Sequence, residues 1–240
     1  MNILLAVLFA AMTSADAVVT ILNTKTSCGP RKFAEAKQLL EEDAKSGYPL
    51  QQYVFGLTTD DNAQSKRYLD VSRERIRAMA ERRDNPLAWY LLSMESNDLT
   101  ALRRAADGGN VQALNALGSL VTQEALSRQS TLSTNDFEKI LRKGFGYFGQ
   151  AAAMRDSNGF INLGTCYQRG FGCKQDLVMA FECFRSAAEL GHPEGMDYMS
   201  ACYQFGHGVR KDAEKSLYWK MRGRAARGDE AADKWLRERK

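Results

Sequence analysis

Phe160-Ile161-Asn162-Leu163-Gly164-Thr165-Cys166-Tyr167-Gln168-Arg169-Gly170-Phe171-Gly172-Cys173-Lys174-Gln175-Asp176 returns 36 positions later as Met196-Asp197-Tyr198-Met199-Ser200-Ala201-Cys202-Tyr203-Gln204-Phe205-Gly206-His207-Gly208-Val209-Arg210-Lys211-Asp212. Cysteine, tyrosine, both turn glycines and aspartate hold one register across the two copies. A fixed period of this length marks stacked supersecondary units, each too small to bury its apolar face alone. Within a unit, Leu163 and Tyr167 are four apart and share a helix face. Gly164, replaced by Ser200 in the second copy, leaves room for a neighbouring helix to approach. Gly170-x-Gly172 ends the helix, because glycine takes left-handed dihedrals without steric cost. Asp176 and Asp212 then fall at the N-cap of a second helix, in which Ala180, Phe184, Ala187, Ala188 and Leu190 precede Gly191. The pattern predicts helix, glycine turn, helix.

The motif Leu163-Gly164-x-x-Tyr167-x-x-Gly170-x-Gly172, followed by Asp176, Ala180 and Ala187-Ala188-Glu189-x-Gly191, resembles the Sel-one-like repeat, a relative of the tetratricopeptide repeat. The second copy keeps the equivalents Tyr203, Gly206, Gly208, Val209, Asp212 and Trp219. The resemblance is specific over residues 159–228, where glycines, small residues and aromatics hold register together. It implies an all-α fold, a right-handed superhelical α/α solenoid of about five to six helix-turn-helix repeats. It also implies an adaptor for protein assembly, in bacteria often exported, or an immunity protein that occludes a toxin.

Weaker copies extend upstream when the small-residue stretch before each unit serves as anchor. Asp43 to Gly47 leads to Phe55-Gly56, Met79 to Arg83 to Leu91-Leu92, Ala105 to Gly109 to Leu117-Gly118, and Ala151 to Arg155 to Leu163-Gly164. The anchors at 47, 83, 109, 155, 191 and 228 are spaced 36, 26, 46, 36 and 37. One shortened hairpin followed by one lengthened hairpin accounts for the irregular pair. The short one turns at Asn97-Asp98. The long one carries a polar loop at 127–135, and Asn135 with Glu138 reads as a capping box opening a helix from Phe137 to Lys143. Asp229 to Lys240 reads as a closing helix with Ala231, Ala232 and Trp235 inward and a charged outer face, as a solenoid end requires.

Residues 1–17 read as a secretory signal, with an apolar run from Ile3 to Met12 too short to span a bilayer and a small-x-small site at Ala15-Asp16-Ala17. Residues 18–30 read as a linker and 31–240 as the solenoid, which places the protein in the periplasm or the medium. Cys28 sits too far from the apolar run for lipid attachment. With 44% apolar and 26% charged residues, the chain has the composition of a soluble globular protein. In an exported chain, five cysteines suggest oxidation, and Cys166 with Cys183, on the two helices of one hairpin, form the most credible disulfide. Cys166 with Cys202 is disfavoured, because stacked helices stand beyond disulfide reach.

Net charge is +4. Arginines 73, 75, 77, 82 and 83 crowd one segment, and from Arg210 to Lys240 eleven basic residues face six acidic ones. Such faces suit an acidic partner or a weak contact with an anionic surface. Chemistry finds no footing: His192 and His207 lie in turns without a second metal ligand, no Cys-x-x-Cys or Gly-x-Ser-x-Gly is present, and no cofactor motif occurs. The chain therefore reads as a non-enzymatic binder of another protein, such as an envelope component, a sensor or a toxin. In stacked helix pairs the first helices line the concave face. Their outward positions here are Phe160, Asn162, Thr165, Arg169, Asp197, Tyr198 and Gln204, with Tyr90 from the shortened repeat; aromatics and arginine at such positions make interface hot spots.

Overall fold

The computed structural model describes residues 49–59 and 61–239, together with Gln38, Glu41, Ala44, Lys45 and Gly47. The expected signal segment, the linker and Cys28 lie outside them. All regular structure among the described residues is helical: α1 (Pro49–Thr58), α2 (Asn62–Arg83), α3 (Pro86–Ser96), α4 (Leu99–Asp107), α5 (Val111–Ser127), α6 (Thr134–Ala153), α7 (Ser157–Arg169), α8 (Leu177–Glu189), α9 (Pro193–Phe205), α10 (Ala213–Ala226) and α11 (Glu230–Arg237). Consecutive helices pair as α1/α2, α3/α4, α5/α6, α7/α8 and α9/α10, and α11 packs on α10. The chain divides into two compact units, the first ending at Asn110 and the second running Val111–Lys240.

The first unit buries Tyr53, Val54, Phe55, Ile76, Ala80, Ala88 and Leu91 in one core. Its turns follow from side-chain chemistry. Asp61 caps α2 by accepting from the Ala63 and Gln64 amides, Asn85 caps α3 ahead of Pro86, and Asp98 caps α4. Asn97 takes the left-handed conformation at φ 54°, so the short hairpin turns where Asn97-Asp98 predicts. Glu95 on α3 ties the three longer helices together, accepting from the Tyr53 hydroxyl and, at 2.8 Å, from Arg73 Nε. Burial opposes ionisation of Glu95, but the hydrogen bonds from Arg73 and Tyr53 hold its carboxyl below the usual range.

In the second unit the 36-residue period is visible as recurring contacts. Tyr167 packs edge-on against Phe145 at 5.4 Å and Tyr203 against Phe181 at 5.6 Å, each reaching back to the preceding hairpin. Gly159 lies against Ala151, and Gly195 against Ala187; an added Cβ would stand 2.7 and 2.8 Å from those methyls. These small pairs let α7 and α9 approach the preceding helix, a contact that the sequence motif does not single out. Within hairpins, Gly118 faces Phe148 and Gly164 faces Phe184, so a Cβ would intrude to 2.5 and 2.7 Å. In the last hairpin Ser200 and Ser216 occupy the close approach, joined by a hydrogen bond from Ser216 Oγ to the Ser200 carbonyl at 2.9 Å.

Each Gly-x-Gly turn stands on the preceding hairpin. Gly170 and Gly172 have φ of 74° and 71°, and Gly206 and Gly208 of 79° and 72°. Gly172 presses on the Leu141 carbonyl and Gly208 on that of Leu177. Asp176 accepts from the Val178 and Met179 amides and Asp212 from the Lys215 amide, as predicted. At the end of the chain, Ala232 is buried beneath α11 while Ala231 is exposed, which corrects the expectation that both face inward. Ala232 lies about 100° round the helix from Ala231, and it is Ala232 with the half-buried Trp235 and Leu236 that turns inward.

Cys166, Cys173, Cys183 and Cys202 are free thiols. The expected Cys166–Cys183 disulfide is not formed. These side chains act as small apolar packing: burial pushes the Cys166 thiol up to about 12 and those of Cys183 and Cys202 up to about 11.

Candidate partner-binding site

The lengthened hairpin departs from the plan in a way that builds a site. Helix α6 is capped by Ser133, whose Oγ accepts from the Asp136 amide at 3.1 Å and donates to the Asp136 carboxylate at 2.7 Å. The helix therefore starts at Thr134, ahead of the expected Asn135 cap, with Ser133 as its N-cap and the Asp136 carboxylate held by the Ser133 hydroxyl. Leu141 of α6 is the repeat equivalent of Leu177, the first residue of α8. The first two turns of α6 thus overhang the repeat framework.

That overhang carries an apolar stripe past its packing partners. Leu141, Gly144, Phe148 and Ala151 are buried at helical spacing, and Phe137 continues the stripe one turn earlier but is only half-buried. Facing it is the Gly170–Lys174 turn. Between them lies a cleft of about 760 Å³, walled by Gln129, Leu132, Thr134, Phe137, Glu138, Leu141 and Arg142 on one side and residues 169–174 on the other. Leu132, Phe137, Leu141 and Phe171 give an apolar floor. Arg142, Arg169 and Lys174 stand on the rim with one carboxylate, Glu138, which Arg142 engages at 3.2 Å. Among the described residues, Arg169 and Lys174 make no ion pair, and the Arg169 guanidinium lies 5.8 Å from the Phe171 ring. The rim carries a surplus of two positive charges. Cys173 lines the same cleft and donates its thiol to the Cys166 carbonyl at 3.5 Å.

The predicted site residues separate into two groups. Arg169 sits in this cleft, together with Gln129, Leu132 and Thr134 of the loop expected at 127–135. Gln204 is exposed and lines a shallower hollow of about 470 Å³ with Ser200, Tyr203, Lys211 and Lys220. Several others are engaged within the stack. Asn162 donates to Asn115 Oδ1 at 3.3 Å, Thr165 to the Ile161 carbonyl at 2.9 Å, and Asp197 pairs with Arg227. Tyr198 stacks on Phe184 with ring centroids 4.2 Å apart. Phe160 is half-buried, and Tyr90 belongs to the first unit, where burial raises its phenol. Sequence reading missed Phe137, Arg142, Phe171 and Lys174. Their signal was the surplus length of one repeat combined with the i, i+4 continuation from Leu141 back to Phe137.

Among the described residues, no group of three histidine, cysteine or acidic side chains could hold a metal ion. Nor is any helix among them long and apolar enough to cross a membrane.

A family model for the Sel1 repeat matches residues 161–192 and 193–219. Over these two units the chain is similar to the Sel1 repeat. Sel1-repeat proteins are generally protein-interaction adaptors, and the fold is typically a non-catalytic scaffold. The chain is 33% identical over 88 residues to the rat protein DAP3-binding cell death enhancer 1, a match covering 36% of this chain and 15% of that protein's length. It is similar to the crystal structure of a Sel1 repeat protein from Oxalobacter formigenes, with 25% identity, TM-score 0.44, and 54% of this chain and 92% of the other covered. It is also similar to c5321, a protective antigen of uropathogenic Escherichia coli with an SLR fold, with 21% identity, TM-score 0.40, and 84% and 52% covered.

Proposed function

We propose that this Sel1-repeat chain is an exported, non-enzymatic adaptor of the periplasm or medium that holds a partner protein along the first-helix side of its second unit. The observation that carries this reading is the cleft between the start of α6 and the turn that follows α7, where half-buried apolar side chains meet two cations, Arg169 and Lys174, that make no ion pair among the described residues. Phe137 and Phe171 are only half-buried beside the exposed Arg169, and aromatics with arginine at such positions make interface hot spots. The name of the rat relative, DAP3-binding cell death enhancer 1, agrees in kind. The apolar run Ile3–Met12 with its small-x-small site supports export.

Photo-crosslinking in the native cells tests this. A photoreactive amino acid placed at Arg169 or Gln204 of the full chain is expected to capture a protein. The same group at Arg185, exposed on the second helix α8, is expected to capture none. Equal capture from all three positions, or from none, contradicts the reading. Fractionation of the same cells checks export: retention of the uncleaved chain in the cytoplasm refutes it.

A further inference from the structure

We propose that the cleft between α6 and the Gly170–Lys174 turn takes an extended acidic segment of the partner, which inserts one bulky apolar side chain between Phe137 and Phe171. This rests on the adaptor reading and adds the chemistry of what is held. The volume of about 760 Å³ exceeds what one side chain fills and falls within the range of clefts that enclose a ligand. Its floor is apolar and open only because α6 outruns the repeat framework, so the natural occupant of the floor is a side chain from outside. Arg169 and Lys174 flank that floor from the turn and Arg142 from the helix, all exposed. Acidic residues on both sides of the inserted group meet these cations. Glu138, already held by Arg142, disfavours an acid at its own position and so sets the register of the segment. A free inorganic anion would leave the apolar floor unused. A lipid bilayer would meet a flat basic face better than a notch with a carboxylate in its wall.

The test uses the full chain with Cys28→Ser, which leaves Cys173 as the one half-buried thiol beside three buried ones. The probe is a short fluorescent peptide of glutamates around a central phenylalanine, with binding read by anisotropy. Two further peptides replace the glutamates by glutamine or the phenylalanine by alanine. The acidic phenylalanine peptide is expected to bind more tightly than either, to weaken as salt rises, and to slow maleimide labelling of Cys173. The double variant Arg169→Glu with Lys174→Glu, whose side chains are exposed and spare the core, is expected to weaken binding on the order of tenfold. Lys220→Glu, at the other hollow, is expected to leave it unchanged. Three results overturn the proposal: equal affinity for the glutamine peptide, no effect of the double charge reversal, or peptide binding without protection of Cys173. Failure of all the peptides, with phosphatidylglycerol vesicles bound through Arg169 and Lys174 instead, also overturns it. Persistent protein crosslinks from Gln204 in that case would leave the adaptor reading standing, which separates the two failures.

Discussion

The hairpins 111–156 and 157–192 share a plan but not a length, and the difference falls almost wholly in their helices. The first helix has 17 residues in the former against 13 in the latter, and the second has 20 against 13. Everything that must meet a neighbour is kept in register: Gly118 and Gly164 face Phe148 and Phe184, and Ala151 and Ala187 receive Gly159 and Gly195. The surplus is confined to the ends that meet no repeat. A repeat can therefore grow outward at its turn without disturbing the stack, and the growth itself becomes a wall. Turn 170–174 has α6 rising beside it, whereas the equivalent turn at 206–210 stands on a helix that begins at Leu177, directly beneath Gly208.

This contrast between a conserved frame and a free end can be broken by substitution. The largest effect is expected in the frame: Phe184→Ala, at a side chain with no exposure that packs on Gly164 and Tyr198, should cost about 3–5 kcal/mol of stability in chemical denaturation. Next comes the junction between hairpins. Burial, then the nearby Arg227, against the opposing pull of Asp197, lowers His192 to about 4 from 6.5. The unfolded chain binds more protons between those values, so stability is full above about pH 6.5 and is lost as pH falls towards 4, by up to about 3 kcal/mol. At the equivalent junction Asp156 caps α7 through the Gly159 amide, but His192 makes no side-chain cap on α9. His192→Asn should therefore flatten the pH slope in that window and restore a cap.

Smaller effects sharpen the comparison. Gly172→Ala, where a Cβ meets the Leu141 backbone at positive φ, should cost about 2 kcal/mol or more, whereas Gly191→Ala, at positive φ but in open space, should cost about 1 kcal/mol. Ser133→Ala should cost about 1 kcal/mol through loss of the α6 cap. The smallest stability change belongs to Phe137→Ala, below about 1 kcal/mol because the ring lies beyond the frame. If Phe137→Ala destabilised the fold as much as Phe184→Ala, the overhang would be part of the frame and the comparison would collapse.

The frame was legible in the sequence because it is written in local chemistry. Glycine takes the left-handed turn positions 170 and 172 without steric cost, at 172 beside the Leu141 backbone where a Cβ would intrude, and Asp176 and Asp212 satisfy the first amides of the helices they precede. The short hairpin was legible for the same reason, through Asn97-Asp98. The start of α6 was not, because Ser133 and Asn135 are both good caps and only the hydrogen bonds of Ser133 decide between them. Nor were the binding positions: register identifies a helix face, but not whether a neighbour already uses it. Asn162 and Tyr198 read as outward and are half-buried against Asn115 and Phe184, whereas Asp197 is exposed and pairs with Arg227. The cysteines misled because a disulfide and a buried thiol fill the same small site.

The cleft exists only if α6 overhangs the repeat framework, and hydrogen–deuterium exchange across residues 128–148 measures that overhang directly. Protection is expected to begin within the first turn after Ser133, with the amides of 138–141 exchanging far more slowly than those of 128–133. Exchange at the unstructured rate up to Leu141, with protection only from there on, would mean that the long repeat ends in a loop and that the cleft has no wall.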